Sequence, residues 1–177
     1  VAMGLSVAAM VRVGNQKGLQ NFKELRRIAK SIFLFGLVLA AVFALFFVVF
    51  HKHLPFIYLD VGDEVNRIDN YEVIAIAAKL LIVAAFFQLS DSLQVIVLGA
   101  LRGMQDVKIP TLITFISYWI VGFPISYFLG KKEMYGSFGI WLGLLSGLTT
   151  AAILLYIRFN YLTNRLISQK EKSYDPS

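Results

Sequence analysis

The sequence predicts an all-α integral membrane protein, a polytopic helix bundle with four complete spans and one partial span. Two observations carry that reading. Hydrophobic residues make up 58% of the 177 residues and charged residues only 16%, whereas about a quarter of a soluble domain is charged. The charges also gather between uncharged apolar runs, as they do in the loops of membrane proteins. The net charge of +6 therefore belongs beside a lipid bilayer, and nucleic acid is not expected as a partner. Cysteine is absent, which removes disulfides, thiol nucleophiles and cysteine-bound metals.

Crossing a hydrocarbon core of about 30 Å takes roughly 20 mostly apolar residues. Residues 1–13 are too few for this and read as the end of a helix begun earlier, in a longer protein of which this is the C-terminal part. Ser31–Phe50 is a run of 20 residues without a charge, and 109–129 and 138–157 are two more such runs. The run 73–101 is longer and carries Lys79 and Asp91, so it is expected to tilt or to project beyond the core. Residues 1–167 thus form one transmembrane unit. The polar stretch 168–177 has no periodicity and is expected to be a disordered tail.

The loops fix an orientation. Arg12, Lys17, Lys23, Arg26, Arg27 and Lys30, then Arg102 and Lys108, then Arg158, Arg165, Lys170 and Lys172 place twelve basic residues on one side. Lys52, Arg67, Lys131 and Lys132 place four on the other, where Asp60, Asp63, Glu64, Asp69 and Glu72 also lie. By the positive-inside bias the twelve-residue side and the C-terminus are cytoplasmic.

Asp91 is the candidate functional residue. A carboxylate at the centre of a membrane helix costs roughly 2.5–3.5 kcal/mol or more, and residues retained there face a bundle interior or watery cavity, often on ion or proton pathways. Gln88 and Gln94 lie three residues to either side, at a spacing that shares a helical face, and Ser92 is adjacent. Such a stripe binds a cation, or holds a proton because burial penalises the charged carboxylate; the structural alternative is a protonated Asp91 that only bonds a neighbouring helix. Lys79, about 18 Å along the helix from Asp91, either snorkels to the headgroups or lines an outer cavity. Tyr118 and Trp119 sit mid-span, where they either stack on an organic cation or fill the core; Phe87 is a third aromatic candidate for a cavity wall. Pro124 is expected to kink its helix near Ile120. Gly139, Gly143 and Gly147, continued by Ala151, make a smooth ridge for close helix packing. His51 and His53 are a weak metal signal without a third ligand. The chain has no HExxH or GxSxG motif, so an enzyme is not expected.

Four stretches in order, VRVGNQKG at 11–18, SDSLQVIVLGALRGMQD at 90–106, SYWIVGFPISYFLG at 117–130 and GSFGIWLGLLSGLT at 136–149, resemble the multidrug and toxic compound extrusion (MATE) family, particularly its NorM-like branch. The resemblance covers nearly the whole chain except the tail. It implies a twelve-helix transporter of two six-helix lobes in the bacterial inner membrane, this chain supplying most of the C-terminal lobe and lacking the N-terminal lobe. It implies export of organic cations and drugs by alternating access, with sodium or proton as the coupling ion and no other cofactor. Asp91 matches the acid on the tenth helix implicated in cation coupling, and a sodium ion there is the one metal the resemblance suggests. Phe87 stands where some members carry a tyrosine, which puts a sodium site of that form in question. The other readings are a flippase for lipid-linked oligosaccharides from the same superfamily, expected to have a more cationic cavity, and a non-transporting membrane assembly subunit.

Overall fold

The computed structural model describes residues 1–54, 67–131 and 136–174. The outer-loop acids Asp60, Asp63 and Glu64, together with Lys132, lie outside them. The described residues are helical throughout their length apart from short turns. They form α1 (Ala2–Gly18), α2 (Phe22–Phe50), α3 (Arg67–Gly103), α4 (Lys108–Ile116), a π-helical segment (Ser117–Gly122), α5 (Phe123–Gly130) and α6 (Gly136–Tyr174). Among the described residues four stretches are long and apolar enough to cross a membrane: Phe22–Phe50, Val73–Gly103, Lys108–Gly130 and Phe138–Lys172. On α2 the side chains of Leu34, Phe35, Val38, Val42, Leu45 and Val49 are each more than half exposed. An apolar surface of that extent belongs against lipid or against another segment of protein.

α3 is the central element, packed by α1, α2 and α6. Its approach to α1 depends on two glycines. A Cβ on Gly103 would meet Gly14 N at 3.1 Å and crowd the Met10 carbonyl, and one on Gly99 would run into Ser6. Small residues let membrane helices approach this closely, and Ser6 Oγ uses the approach to donate to the Val95 carbonyl at 2.8 Å. The buried cluster lies toward the basic end, with Ala9 and Val13 of α1, Leu25 and Phe33 of α2, Val97 and Leu101 of α3, and Leu155 and Phe159 of α6.

α6 packs against the broken helix α4–π–α5 along its glycine ridge. A Cβ on Gly139 would lie 2.6 Å from the Leu129 carbonyl oxygen, and one on Gly147 would lie 2.9 Å from Gly122 Cα. Gly143 sits against the backbone of Ser126. The break differs from a simple proline kink. Pro124 offers no N–H to the Ile120 carbonyl, and the chain absorbs the loss in the six-residue π turn just before it.

The expected disordered stretch is helical from Ser168 as far as Tyr174. Its polar side chains find partners on the α1–α2 connection: Lys170 Nζ donates to the Gln20 carbonyl at 2.8 Å and Glu171 pairs with Lys23 at 2.8 Å. Residues 175–177 lie outside the described residues.

Candidate functional site

The site forms where α3 passes the π segment. Asp91 projects from α3 with its side chain exposed, on a face that the neighbouring helices leave uncovered. One turn further along, Gln94 is nearly buried at 8% exposure and accepts a hydrogen bond from the Tyr118 hydroxyl at 3.2 Å. Gln94 and Tyr118 thus form a polar pair across two helices, and Asp91 lies three residues before Gln94 on α3. The π segment sets the position of Tyr118. Ser117 beside it is fully buried and donates to the Ile113 carbonyl at 2.8 Å, and Gly122 is locked against Gly147. π turns inside α-helices occur frequently at functional sites because they re-aim side chains.

Gln88 is not part of this group. It lines a small cavity with Ser92 and Ile96, facing Leu5 of α1 and Gly36 of α2. Six residues separate it from Gln94, which turns the two about 120° apart around a helix of 3.6 residues per turn. Phe87 also points elsewhere, edge-on to Trp141 of α6 with ring centroids 5.5 Å apart. Lys79 is exposed.

Tyr118 has a second role. Its ring lines an apolar groove of about 530 Å³, with Trp119, Phe123, Tyr127, Ile140 and Leu144 among the walls. That volume lies within the roughly 300–1,000 Å³ range of small-molecule sites. Trp119 continues a ladder with Phe115 and Phe123, each 5.9 Å away between centroids, and remains 59% exposed. At the mouth, Lys131 Nζ lies 5.6 Å above the Tyr127 ring. Tyr118 thus joins the polar pair to the groove, one end hydrogen-bonded and the other aromatic wall.

Among the described residues no three His, Cys, Asp or Glu side chains gather as metal ligands. His51 instead caps α2, its Nδ1 donating to the Val48 carbonyl at 2.6 Å.

Two features carried no recognisable sequence signal. Asp106 accepts from Arg158 Nε at 2.9 Å, a pair with side chains only 14% and 21% exposed. Lys17 Nζ caps the end of α3, donating to the Met104 carbonyl at 2.6 Å and to Gln105 Oε1 at 3.1 Å. Each joins groups far apart in the chain, which spacing along one helix cannot reveal.

The MatE family model matches residues 1–128. The chain is 40% identical over 164 residues to the multidrug resistance protein MdtK of Yersinia enterocolitica, covering 90% of this chain and 34% of that protein. It is 36% identical over 166 residues to the multidrug resistance protein NorM of Aliivibrio fischeri, covering 92% of this chain and again 34% of the relative. The chain thus spans about a third of the length of these curated relatives. The fold is similar to that of a multidrug resistance MATE family transporter solved in an inward-facing conformation, with a TM-score of 0.77, 14% identity, and coverage of 94% of this chain and 37% of that one.

Proposed function

Because the chain belongs to the MatE family, we propose that the whole protein is a cation-coupled antiporter exporting organic cations and drugs, with this chain forming most of its C-terminal lobe. The observation that carries the proposal is the dual placement of Tyr118, bonded to Gln94 one turn along α3 from Asp91 and exposed by its ring to the aromatic groove. A site that senses ion occupancy and a surface that holds an aromatic cation share one side chain.

Asp91 is the coupling residue in this reading. Its uncovered face must meet water or another segment of the protein, since a carboxylate facing lipid is too costly. A sodium ion or proton arriving there removes the negative charge, and the lobe arrangement favoured by the neutral site differs from that favoured by the charged one. The shift is limited to the ion's differential affinity for the two states. Gln94 Oε1, three residues along α3, and the Tyr118 oxygen bonded to it are the polar atoms this reading sets beside the ion's path. Trp119 and Tyr118 offer aromatic faces to the drug's cation. The excess of basic residues at one end supports a cytoplasmic position for that end and for the C-terminus.

Lys131 at the groove mouth favours a second substrate class, the pyrophosphate-linked oligosaccharide of a flippase. One experiment separates the readings. Full-length protein in proteoliposomes is given a cationic dye under a sodium gradient and then a proton gradient, wild type beside Asp91→Asn. Antiport predicts gradient-driven dye movement that falls at least ten-fold in the variant, and the active gradient names the ion. Undiminished transport by the variant would make Asp91 structural. Wild type that moves no dye under either gradient would favour the flippase.

A further inference from the structure

A second groove lies along α2 toward the basic end, beside the start of its exposed apolar belt, and nothing above uses it. It has a volume of about 270 Å³ and is lined by Lys30, Phe33, Leu34 and Leu37 of α2, Leu93 of α3 and Tyr156 of α6. We propose that this groove is a binding site for an acidic glycerophospholipid of the leaflet at the basic end, with one acyl chain along the apolar walls and the phosphate at Lys30.

The position of Lys30 carries the argument. It is the last basic residue before the uncharged run Ser31–Phe50, so it stands at the hydrocarbon boundary, where a phospholipid's phosphate lies. From Lys30 to Leu37 the groove runs about 10 Å along the helix axis into the apolar layer. Its volume falls just below the roughly 300–1,000 Å³ of drug-sized sites, and its lining changes from cation to aliphatic along its length. That polarity is the polarity of a lipid.

The charge is uncompensated. No acidic residue lines the groove, and Lys30 has no ion-pair partner among the described residues. One turn beyond it, about 6 Å along the axis, Arg26 is held across to α6 by Asn160 and Asn164. Its Nε is buried without a hydrogen-bond partner. Arg26 thus adds positive charge behind the groove without lining it, and Lys30 is the cation that meets an anionic headgroup, as in basic pockets between membrane helices. Tyr156, at the boundary on the facing helix, packs its ring edge-on to Phe33 at 6.2 Å and closes the apolar part.

The test uses full-length protein released from nanodiscs containing phosphatidylcholine and phosphatidylglycerol, with retained lipid read by native mass spectrometry. Wild type should keep phosphatidylglycerol in preference to phosphatidylcholine. Lys30→Gln should lower that retention about five-fold and Lys30→Glu about thirty-fold, the usual effect of one and two charge units at an anionic surface. Leu37→Trp, which fills the groove without changing charge, should lower it too, whereas Lys108→Glu, at the same end but outside the groove, should not. Excess glycerol phosphate should leave the lipid in place, since the headgroup alone lacks the apolar contact. The proposal is overturned if Lys30→Glu retains phosphatidylglycerol like wild type, as it would were another segment of the protein to cover the groove. Equal loss in Lys108→Glu, equal retention of phosphatidylcholine, or displacement by glycerol phosphate would overturn it as well.

Discussion

The basic end of the bundle and its middle satisfy their polar groups in opposite ways. At the basic end several charged side chains have a partner on another element. Lys17 caps α3, Arg158 holds Asp106, Arg26 reaches Asn160 and Asn164, and Lys170 reaches the Gln20 carbonyl. These bonds surround the buried cluster and tie the helices into one clamp. In the middle, Asp91 is exposed and has no ion-pair partner among the described residues, and the aromatic groove beside it stands open. The lesson is a division of labour. One region fixes the helices, and the other leaves Asp91 free to meet a ligand or the rest of the protein.

That contrast yields an ordered set of tests, with thermal unfolding of the full-length protein reporting the clamp and dye transport reporting the open face. The largest loss of stability is expected where α6 and the broken helix touch backbone to backbone. Gly143→Leu drives a side chain into the Ser126 backbone, and overpacking of this kind costs roughly 1–3 kcal/mol or more. The variant should unfold at clearly lower temperature and lose transport with it. Next comes Arg158→Ala, which leaves Asp106 unpaired. A fully buried pair broken from one side costs roughly 3–5 kcal/mol; with Arg158 about a fifth exposed, about 2 kcal/mol is expected. The double replacement Asp106→Asn with Arg158→Gln should recover most of it, because no lone charge remains.

The two regions were unequally legible from sequence, for a physical reason. Ser31–Phe50 declares a span because a 20-residue uncharged run has few other uses, and the four-residue spacing of Gly139, Gly143 and Gly147 declares a packing ridge. Those signals live within one helix. Gln88 shows the limit. Its spacing from Asp91 puts the two on neighbouring faces, but which face meets α1 and which meets the π segment is decided by other helices. The π turn was hidden for a related reason: Pro124 announces a lost hydrogen bond, not how the chain absorbs it. The polar run after Ser168 looked structureless because Lys170 and Glu171 find their partners on the α1–α2 connection, about 150 residues back along the chain.

Smaller effects on stability should accompany larger effects on transport. Tyr118→Phe removes the bond to Gln94 while keeping the ring in the groove. Losing one such hydrogen bond costs about 1 kcal/mol, so unfolding should shift slightly. Dye affinity should persist, because the aromatic wall is intact, whereas the dependence of transport on ion concentration should move. A variant with normal ion dependence would sever Tyr118 from the coupling.

Asp91→Asn is the sharpest case, because it asks for almost no change in one measurement and a large one in the other. The side chain is exposed on the described surface and holds no ion pair among the described residues, so its replacement by an isosteric amide should alter unfolding by no more than about 0.5 kcal/mol. The amide carries no charge for a sodium ion or a proton to neutralise, so the lobes receive no ion-dependent bias and gradient-driven export should collapse. A protein that is equally stable yet uncoupled is the signature of a residue whose partner is a passing ion. Were Asp91→Asn instead to unfold like Arg158→Ala, the carboxylate would belong to the clamp, and the division between the two regions would have to be redrawn at α3.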